Sequence, residues 1–378
     1  MPRRIRVLAV DDSPLIRELI RDTIATAPDL ELVGTAADGD RAVTAVRRLQ
    51  PDVVTLDIQM PGCDGFQALE RLLAERPLPI VMVSSLTQRG AIATIEALER
   101  GALDCIAKPQ GHGDGLATLS SELLTKIRAV AGCDVRRILA IRAQRQRCRL
   151  ARAAGAAEAH PTGVAARARP TAAQAETRIA ELAQAVVAIG ISTGGPPALV
   201  SLFESLQPPQ PPIVIVQHMP ARFTAALAAR LDARSPLSVK EAAEGDRLTP
   251  NVVYLAPGGR HLELRGGPGG VRTRLGDGPP VSGHRPSIDV LMQSAAAACG
   301  RRTLGVIMTG MGRDGVAGCQ RIRAAGGMVL AQDEETSDVY GMNKAAVDEG
   351  HVDRQFALEH AAFEITRAVG RLTRAAGR

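Results

Sequence analysis

A rhythm of short apolar runs alternating with helix-spaced apolar residues occurs twice along this chain, and it leaves the fold little freedom. The first block spans 1–130. Ile5–Val10 is an apolar run closed by Asp11 and Asp12, and Leu15, Ile16, Leu19, Ile20 and Ile24 then recur at the spacing of one helix face. Further runs lie at 32–33, 53–56, 79–83 and 105–107, and Leu116, Leu119, Leu123, Ile127 and Val130 mark a closing amphipathic helix. Five apolar strands with helices between them predict a parallel sheet covered on both faces. The second block spans 181–378, with strands predicted at 185–189, 213–216, 303–308 and 329–331. Val252–Leu255, 261–264 and 271–275 read as an antiparallel group, the last two joined by a GGPGG turn. The expected class is α/β: two doubly wound parallel-sheet domains, the second carrying a small antiparallel hairpin insert.

The segment between them, 131–180, differs in composition. Ala and Arg supply 25 of the 48 positions from 133 to 180, and apolar periodicity fades past Leu150. Its first half is expected to extend a helix. Its second half, through Pro161, Gly163 and Pro170, is expected to be flexible linker. It holds ten Arg and three acids, a net +7 that exceeds the +6 of the whole chain. The flanking blocks are close to neutral, with 15 basic against 18 acidic residues before it and 21 against 19 after it. Aromatic residues make up 2% of the chain. Neither block therefore has the basic face or the stacking platforms of a nucleic-acid reader. The Arg-rich segment is expected to be a solvated tether.

The six cysteines are scattered without a CxxC pair. That spacing suits neither zinc nor a disulfide framework and suggests a reducing compartment. The N-terminal apolar run is too short for a signal-peptide core, and no stretch approaches the roughly 18 apolar residues of a membrane span. A cytoplasmic protein without membrane insertion is expected.

Chemistry-bearing residues fall at the strand ends. In the first block Asp11 and Asp12 end the first strand, Asp57 the third, Ser84 the fourth and Lys108 the fifth. The carboxyl ends of parallel strands share one edge, where ligands bind. Three carboxylates there repel one another unless a cation joins them, and oxygen ligands of high charge favour Mg²⁺. A hydroxyl and an ammonium beside them suit a phosphoryl group, with one carboxylate as its acceptor.

In the second block, Gly190-Ile191-Ser192-Thr193-Gly194 matches G-x-S-x-G between a strand and a helix. Such a turn exposes a serine, and the helix N-terminus offers N–H groups to a developing oxyanion. A glycine-rich turn with a capping serine is the plainer alternative, and a dinucleotide loop is disfavoured because G-x-G-x-x-G is not met. His218 ends the following strand, and Asp314 follows the 303–308 strand on the same edge. A Ser, a His and an Asp on one edge are the minimum for a nucleophile, a base and an orienting carboxylate. Asp314 as a helix N-cap is almost as well supported. The other histidines read as structural, with His284 the one most open to a role at the site.

The first block resembles the response-regulator receiver family, through Asp11-Asp12, the LDIQMPGCDG stretch around Asp57, VSS at Ser84 and AKP at Lys108. The resemblance implies Asp57 as phosphoacceptor and Asp11, Asp12 and Asp57 as the Mg²⁺ site. It also implies Ser84 as phosphoryl partner and Lys108 as sensor of the phosphorylated state. Cys105 stands where receivers usually carry an aromatic switch. The second block is similar to the catalytic domain of the CheB family of chemotaxis protein-glutamate methylesterases. The matching residues are GISTGGP, VIVQHMP, YLAPGG, HRPSIDVL, MTGMGRDG and AQDEETS, in order from 190 to 337. Asn343-Lys344 departs from the proline-containing version of many relatives.

That likeness implies hydrolysis of glutamate γ-methyl esters, and deamidation of glutamine, on chemoreceptor cytoplasmic helices, with no cofactor for the esterase step. It implies Ser192 as nucleophile, His218 as base and Asp314 as orienting group, with Thr193 and the Met311 N–H at the oxyanion. A chemotaxis histidine kinase would be the phosphodonor. Two other classes of output remain in play, a DNA-binding domain and a non-catalytic adaptor.

Overall fold

The computed structural model describes residues 3–60, 65–85, 87–109, 114–158 and 172–375. The second half of the Arg-rich segment, the 61–64 part of the motif after Asp57, Cys63, His112 and His160 lie outside the described residues.

The first sheet contains β1 (Ile5–Val10), β2 (Leu30–Ala36), β3 (Val53–Asp57), β4 (Ile80–Ser84) and β5 (Asp104–Ala107), in the order β2-β1-β3-β4-β5. Every pair is parallel. Helices α1 (Pro14–Ala25), α2 (Gly39–Leu49), α3 (Gly65–Glu75), α4 (Gln88–Arg100) and α5 (Asp114–Val130) cover it. Local signals set their starts. Pro14 opens α1 behind the Ser13 cap, and Asp38 caps α2 by accepting from the Arg41 N–H at 2.8 Å.

Two more helices follow, α6 (Val135–Glu158) and α7 (Ala172–Leu182). The second sheet contains β6 (Val186–Ile191), β7 (Ile213–Gln217), β8 (Ser238–Glu241), β9 (Val252–Leu255), β12 (Thr303–Ile307), β13 (Met328–Gln332) and β14 (Arg354–Phe356). Its order is β14-β13-β12-β6-β7-β9-β8. The hairpin β10 (His261–Gly267) and β11 (Gly270–Gly276) stands apart and is antiparallel. The helices are α8 (Gly195–Ser205), α9 (Phe223–Asp232), α10 (Ile288–Cys299), α11 (Val316–Ala324), α12 (Met342–Asp348) and α13 (Ala361–Ala375). Successive β6 residues feed two cores: Val187, Ile189 and Ile191 pack on one face, Val186 and Ala188 on the other. Each large aliphatic buried in this way contributes about 1.5–3 kcal/mol.

Two expectations need correction. Val252–Leu255 is not part of the antiparallel group: β9 lies parallel between β7 and β8. Its Val253, Tyr254 and Leu255 are all buried, as in a strand covered on both faces. The 135–145 stretch of the Arg-rich segment is also not a solvated tether. Val135 and Ile138 are buried, the Arg137 guanidinium donates to the Glu334 and Glu335 carbonyls, and Arg145 donates to the Thr336 carbonyl. Arg142 bridges both units. It donates to the Leu98 carbonyl at 2.9 Å and pairs with Asp338 at 2.5 Å. The units also meet where α4 packs on α9, with Arg230 and Glu99 paired through two bonds of 2.9 and 2.6 Å.

Candidate functional site

Both sheets reverse their strand order next to a central strand, and each reversal opens a crevice at the strand ends. In the first sheet the crevice lies between β1 and β3. Asp11 and Asp57 are buried in it and Asp12 is exposed at its rim. One oxygen from each of the three lies within 4.8 Å of the others. Lys108 reaches in from the end of β5, with Nζ 2.8 Å from both Asp11 Oδ2 and Asp57 Oδ2. Asp11 Oδ2 is buried and, beyond that ion pair, has no aligned hydrogen bond. Burial pushes the Asp11 carboxyl up, against the pull of Lys108. A buried, under-coordinated carboxylate among three fits a divalent cation. Ser84 also ends its strand there, and its hydroxyl donates to the Gly90 carbonyl in the first turn of α4, at 3.3 Å.

In the second sheet the reversal lies between β6 and β12. Ser192 follows β6, and its N–H donates to the Thr309 carbonyl beyond β12. His218 follows β7, and its N–H donates to the Ile191 carbonyl. Asp314 lies in the loop between β12 and α11. The side chains converge: His218 Nδ1 is 3.1 Å from Ser192 Oγ, and His218 Nε2 is 2.8 Å from Asp314 Oδ2. A buried carboxylate accepts, so Nε2 carries the proton and Nδ1 faces the serine hydroxyl as acceptor. Gly310 leaves room for the Ser192 side chain, because a Cβ there would lie 2.6 Å from the Ser192 Cβ. Gly194 turns the chain into α8 with φ +79, in the left-handed region that favours glycine.

Asp314 is also a cap, though not for the helix it precedes. Its carboxylate accepts from the Ile288 and Asp289 N–H groups at the start of α10, at 2.7 and 3.0 Å, and from the Ser287 hydroxyl at 2.8 Å. The one carboxylate therefore meets both the His218 ring and a helix N-terminus. Burial alone would raise its pKa, but His218 and these donors outweigh burial and hold it low. His284 lies flat on the His218 ring, with centroids 3.8 Å apart and planes within 7°. Burial and the neighbouring His218 lower the His284 pKa to about 4, so it is neutral at pH 7.

One expected contribution is missing. Pro196 and Pro197 occupy the first turn of α8 and have no N–H, and the Gly195 N–H is taken by the Ser192 carbonyl. The start of α8 therefore offers a dipole but few donors. The main-chain N–H groups of Thr193 and Met311 have no protein partner among the described residues. The Thr193 hydroxyl donates to Asp104 Oδ2 of β5 in the first unit, at 2.6 Å, and Lys126 of α5 holds the other Asp104 oxygen at 2.5 Å. Sequence reasoning missed Asp104, Lys126 and Ser287. Ser287 alone had a local signal, as a serine ahead of an apolar helix.

Residues 7–120 match the family model for the response regulator receiver domain, and 187–365 match that for CheB methylesterase. Among curated relatives, protein-glutamate methylesterase/protein-glutamine glutaminase 1 of Caulobacter vibrioides is 45% identical over 94% of this chain and 95% of its own length. The protein of the same name in Dechloromonas aromatica is 42% identical over 98% of this chain and 99% of its own length. A Ralstonia nicotianae relative, protein-glutamate methylesterase/protein-glutamine glutaminase, is 42% identical over the same shares. The DNA-binding and non-catalytic alternatives fall with these matches. The chain belongs to the family of protein-glutamate methylesterase/protein-glutamine glutaminases, an esterase and deamidase unit carried behind a receiver.

Proposed function

We propose that the enzyme hydrolyses glutamate γ-methyl esters and deamidates glutamines on chemoreceptor cytoplasmic helices, through Ser192, His218 and Asp314 and under control of Asp57 phosphorylation. The observation that carries this reading is the His218 ring, bonded at one nitrogen to Ser192 and at the other to Asp314. Ser192 Oγ attacks the ester carbonyl as its proton passes to His218 Nδ1. Asp314 keeps Nε2–H in place and stabilises the imidazolium. The carbonyl oxygen becomes an oxyanion, for which the N–H groups of Thr193 and Met311, unpartnered among the described residues, are candidate donors. The Nδ1 proton goes to the departing methoxide, releasing methanol and leaving a glutamyl ester on Ser192. Water then gives its proton to Nδ1, attacks that ester and frees the carboxylate and Ser192. With glutamine, ammonia leaves in the first half.

Control is read from the contacts between units. The unphosphorylated receiver covers the catalytic edge through Asp104, which takes the Thr193 hydroxyl beside the nucleophile. A chemotaxis histidine kinase would donate the phosphoryl group to Asp57, in the cytoplasm. Mg²⁺ held by Asp11, Asp12 and Asp57 would neutralise the phosphoryl oxygens. The phosphoryl group competes for Lys108 at the end of β5 and for Ser84, whose hydroxyl now rests on α4. Asp104 lies on β5, and α4 contacts α9 of the output unit. This route needs no aromatic ring at 105. The Cys105 thiol is buried, pushed up to about 12 by that burial, and uncharged.

Methanol release from methylated receptor, measured with and without a small phosphodonor and Mg²⁺, tests both parts. Ser192→Ala should abolish release, and Asp57→Asn should remove the response to the phosphodonor. Stimulation of Asp57→Asn equal to that of the unmutated enzyme would exclude this control.

A further inference from the structure

Asp289 lies in the first turn of α10 and is 6% exposed. Its Oδ1 accepts from the Gly315 and Gly318 N–H groups at the start of α11, at 3.0 and 2.7 Å. Asp314, next to the start of α11, accepts from the first N–H groups of α10. The two helices thus exchange caps, each N-terminus being closed by a carboxylate carried beside the other. The helices are pressed together at this point, since a Cβ on Gly318 would lie 2.5 Å from the Met292 Cβ. A side chain that moved either N-terminus would move Asp314 relative to His218.

The exchange also gathers charge. Asp289 and Asp314 are close enough to repel, and two helix N-termini offset that repulsion. The groups facing Asp289 are Asp314 with His218 behind it, His284 on the far face of His218, and the Cys319 thiol on α11. His261 lies behind Ser287, with Nδ1 accepting the Ser287 N–H. Burial and Asp314 push the Asp289 carboxyl up to about 6, so it is ionised at pH 8.

We propose that Asp289 is a positioning residue for the triad. Its crossed cap holds the loop of Asp314 against α10, and its charge adds to that of Asp314 to favour the imidazolium that His218 becomes during acyl transfer. This rests on the roles proposed above for His218 and Asp314.

The experiment uses the full chain, activated by phosphodonor and Mg²⁺, with methanol release followed from pH 5 to 9. Asp289→Asn keeps the shape and the acceptor but removes the charge. A negative charge favours the protonated ring, so its removal should move the acid limb of kcat/KM to lower pH and lower kcat a few-fold at pH 8. Asp289→Ala removes the cap and should lower kcat about tenfold to a hundredfold with KM little changed, as expected for a small displacement of a catalytic group. It should also shift the downfield proton resonance of His218 Nε2–H, which Asp289→Asn largely restores. That resonance needs no turnover. Ser192→Ala is the separate control, since release surviving in it would fault the triad and not Asp289. An Asp289→Asn pH profile that superimposes on that of the unmutated enzyme overturns the proposal. So does an unchanged resonance in folded Asp289→Ala. Should Asp289→Ala fail to fold, the Asp289→Asn profile decides.

Discussion

The two strand-end crevices have the same topology and opposite electrostatics. At the receiver edge, two buried carboxylates share one ammonium and Asp11 keeps an oxygen without an aligned hydrogen bond. That edge has charge to spare and is built to gain a ligand. At the esterase edge both oxygens of Asp314 and both nitrogens of His218 are already bonded. That edge is preorganised, and its polar groups need no rearrangement before reaction. A parallel sheet thus supplies only the place; on the roles proposed above, the number of satisfied polar groups separates a switch from a catalyst.

The strongest way to break this contrast is to unbalance the finished edge. Asp314→Asn keeps the size of the side chain but presents an amide to Nε2, and kcat should fall by about 10²–10⁴ with little change in KM. A loss of less than tenfold in methanol release would mean that the edge is not preorganised through Asp314. Next in size is the contact that joins the two units. Asp104→Asn weakens a hydrogen bond to a charged acceptor, a class worth about 1.5–3 kcal/mol. Release without phosphodonor should rise several-fold, and an unchanged rate would move the inhibitory contact away from Thr193. The smallest effect belongs to the rim. Arg230 and Glu99 are partly exposed, and such pairs contribute about 0–1 kcal/mol. Arg230→Ala should raise unstimulated release less than about fivefold, and the difference should fade in high salt. A rim effect larger than that of Asp104→Asn would reverse the ranking.

The strand ends were legible because a buried parallel strand is a continuous apolar run, and the first polar residue after it marks the edge. Asp11, Asp57, Ser84, Lys108 and Ser192 all follow that rule, and His218 comes one place later, after Gln217. Asp314 was harder, because it lies several residues into a loop and equally resembled a cap; it serves as one, for α10. The direction of β9 was not legible, since a four-residue apolar strand reads alike in either direction. β8 and β14 alternate or expose their residues at the sheet edges and leave almost no apolar run. The least legible residues were those that act between units. Asp104 meets Thr193 across 89 positions of sequence, and neither residue has a local pattern that points to the other. The Arg-rich segment misled for a related reason. Its guanidinium groups are solvated in isolation, but here Arg137 and Arg145 donate to main-chain carbonyls of the second unit.

The bridge formed by Arg142 has a consequence for timing. One guanidinium touches the Leu98 carbonyl of the receiver and Asp338 of the esterase, so a change at the receiver face is felt by α6 as well as by α4. Because both units belong to one chain, a receiver that has let go stays at an effective concentration on the order of millimolar. It returns by a short local search and not by diffusion through the cell. On the control proposed above, the signal would end as fast as the phosphoryl group leaves Asp57, and the lifetime of one acyl phosphate would be the memory of the enzyme.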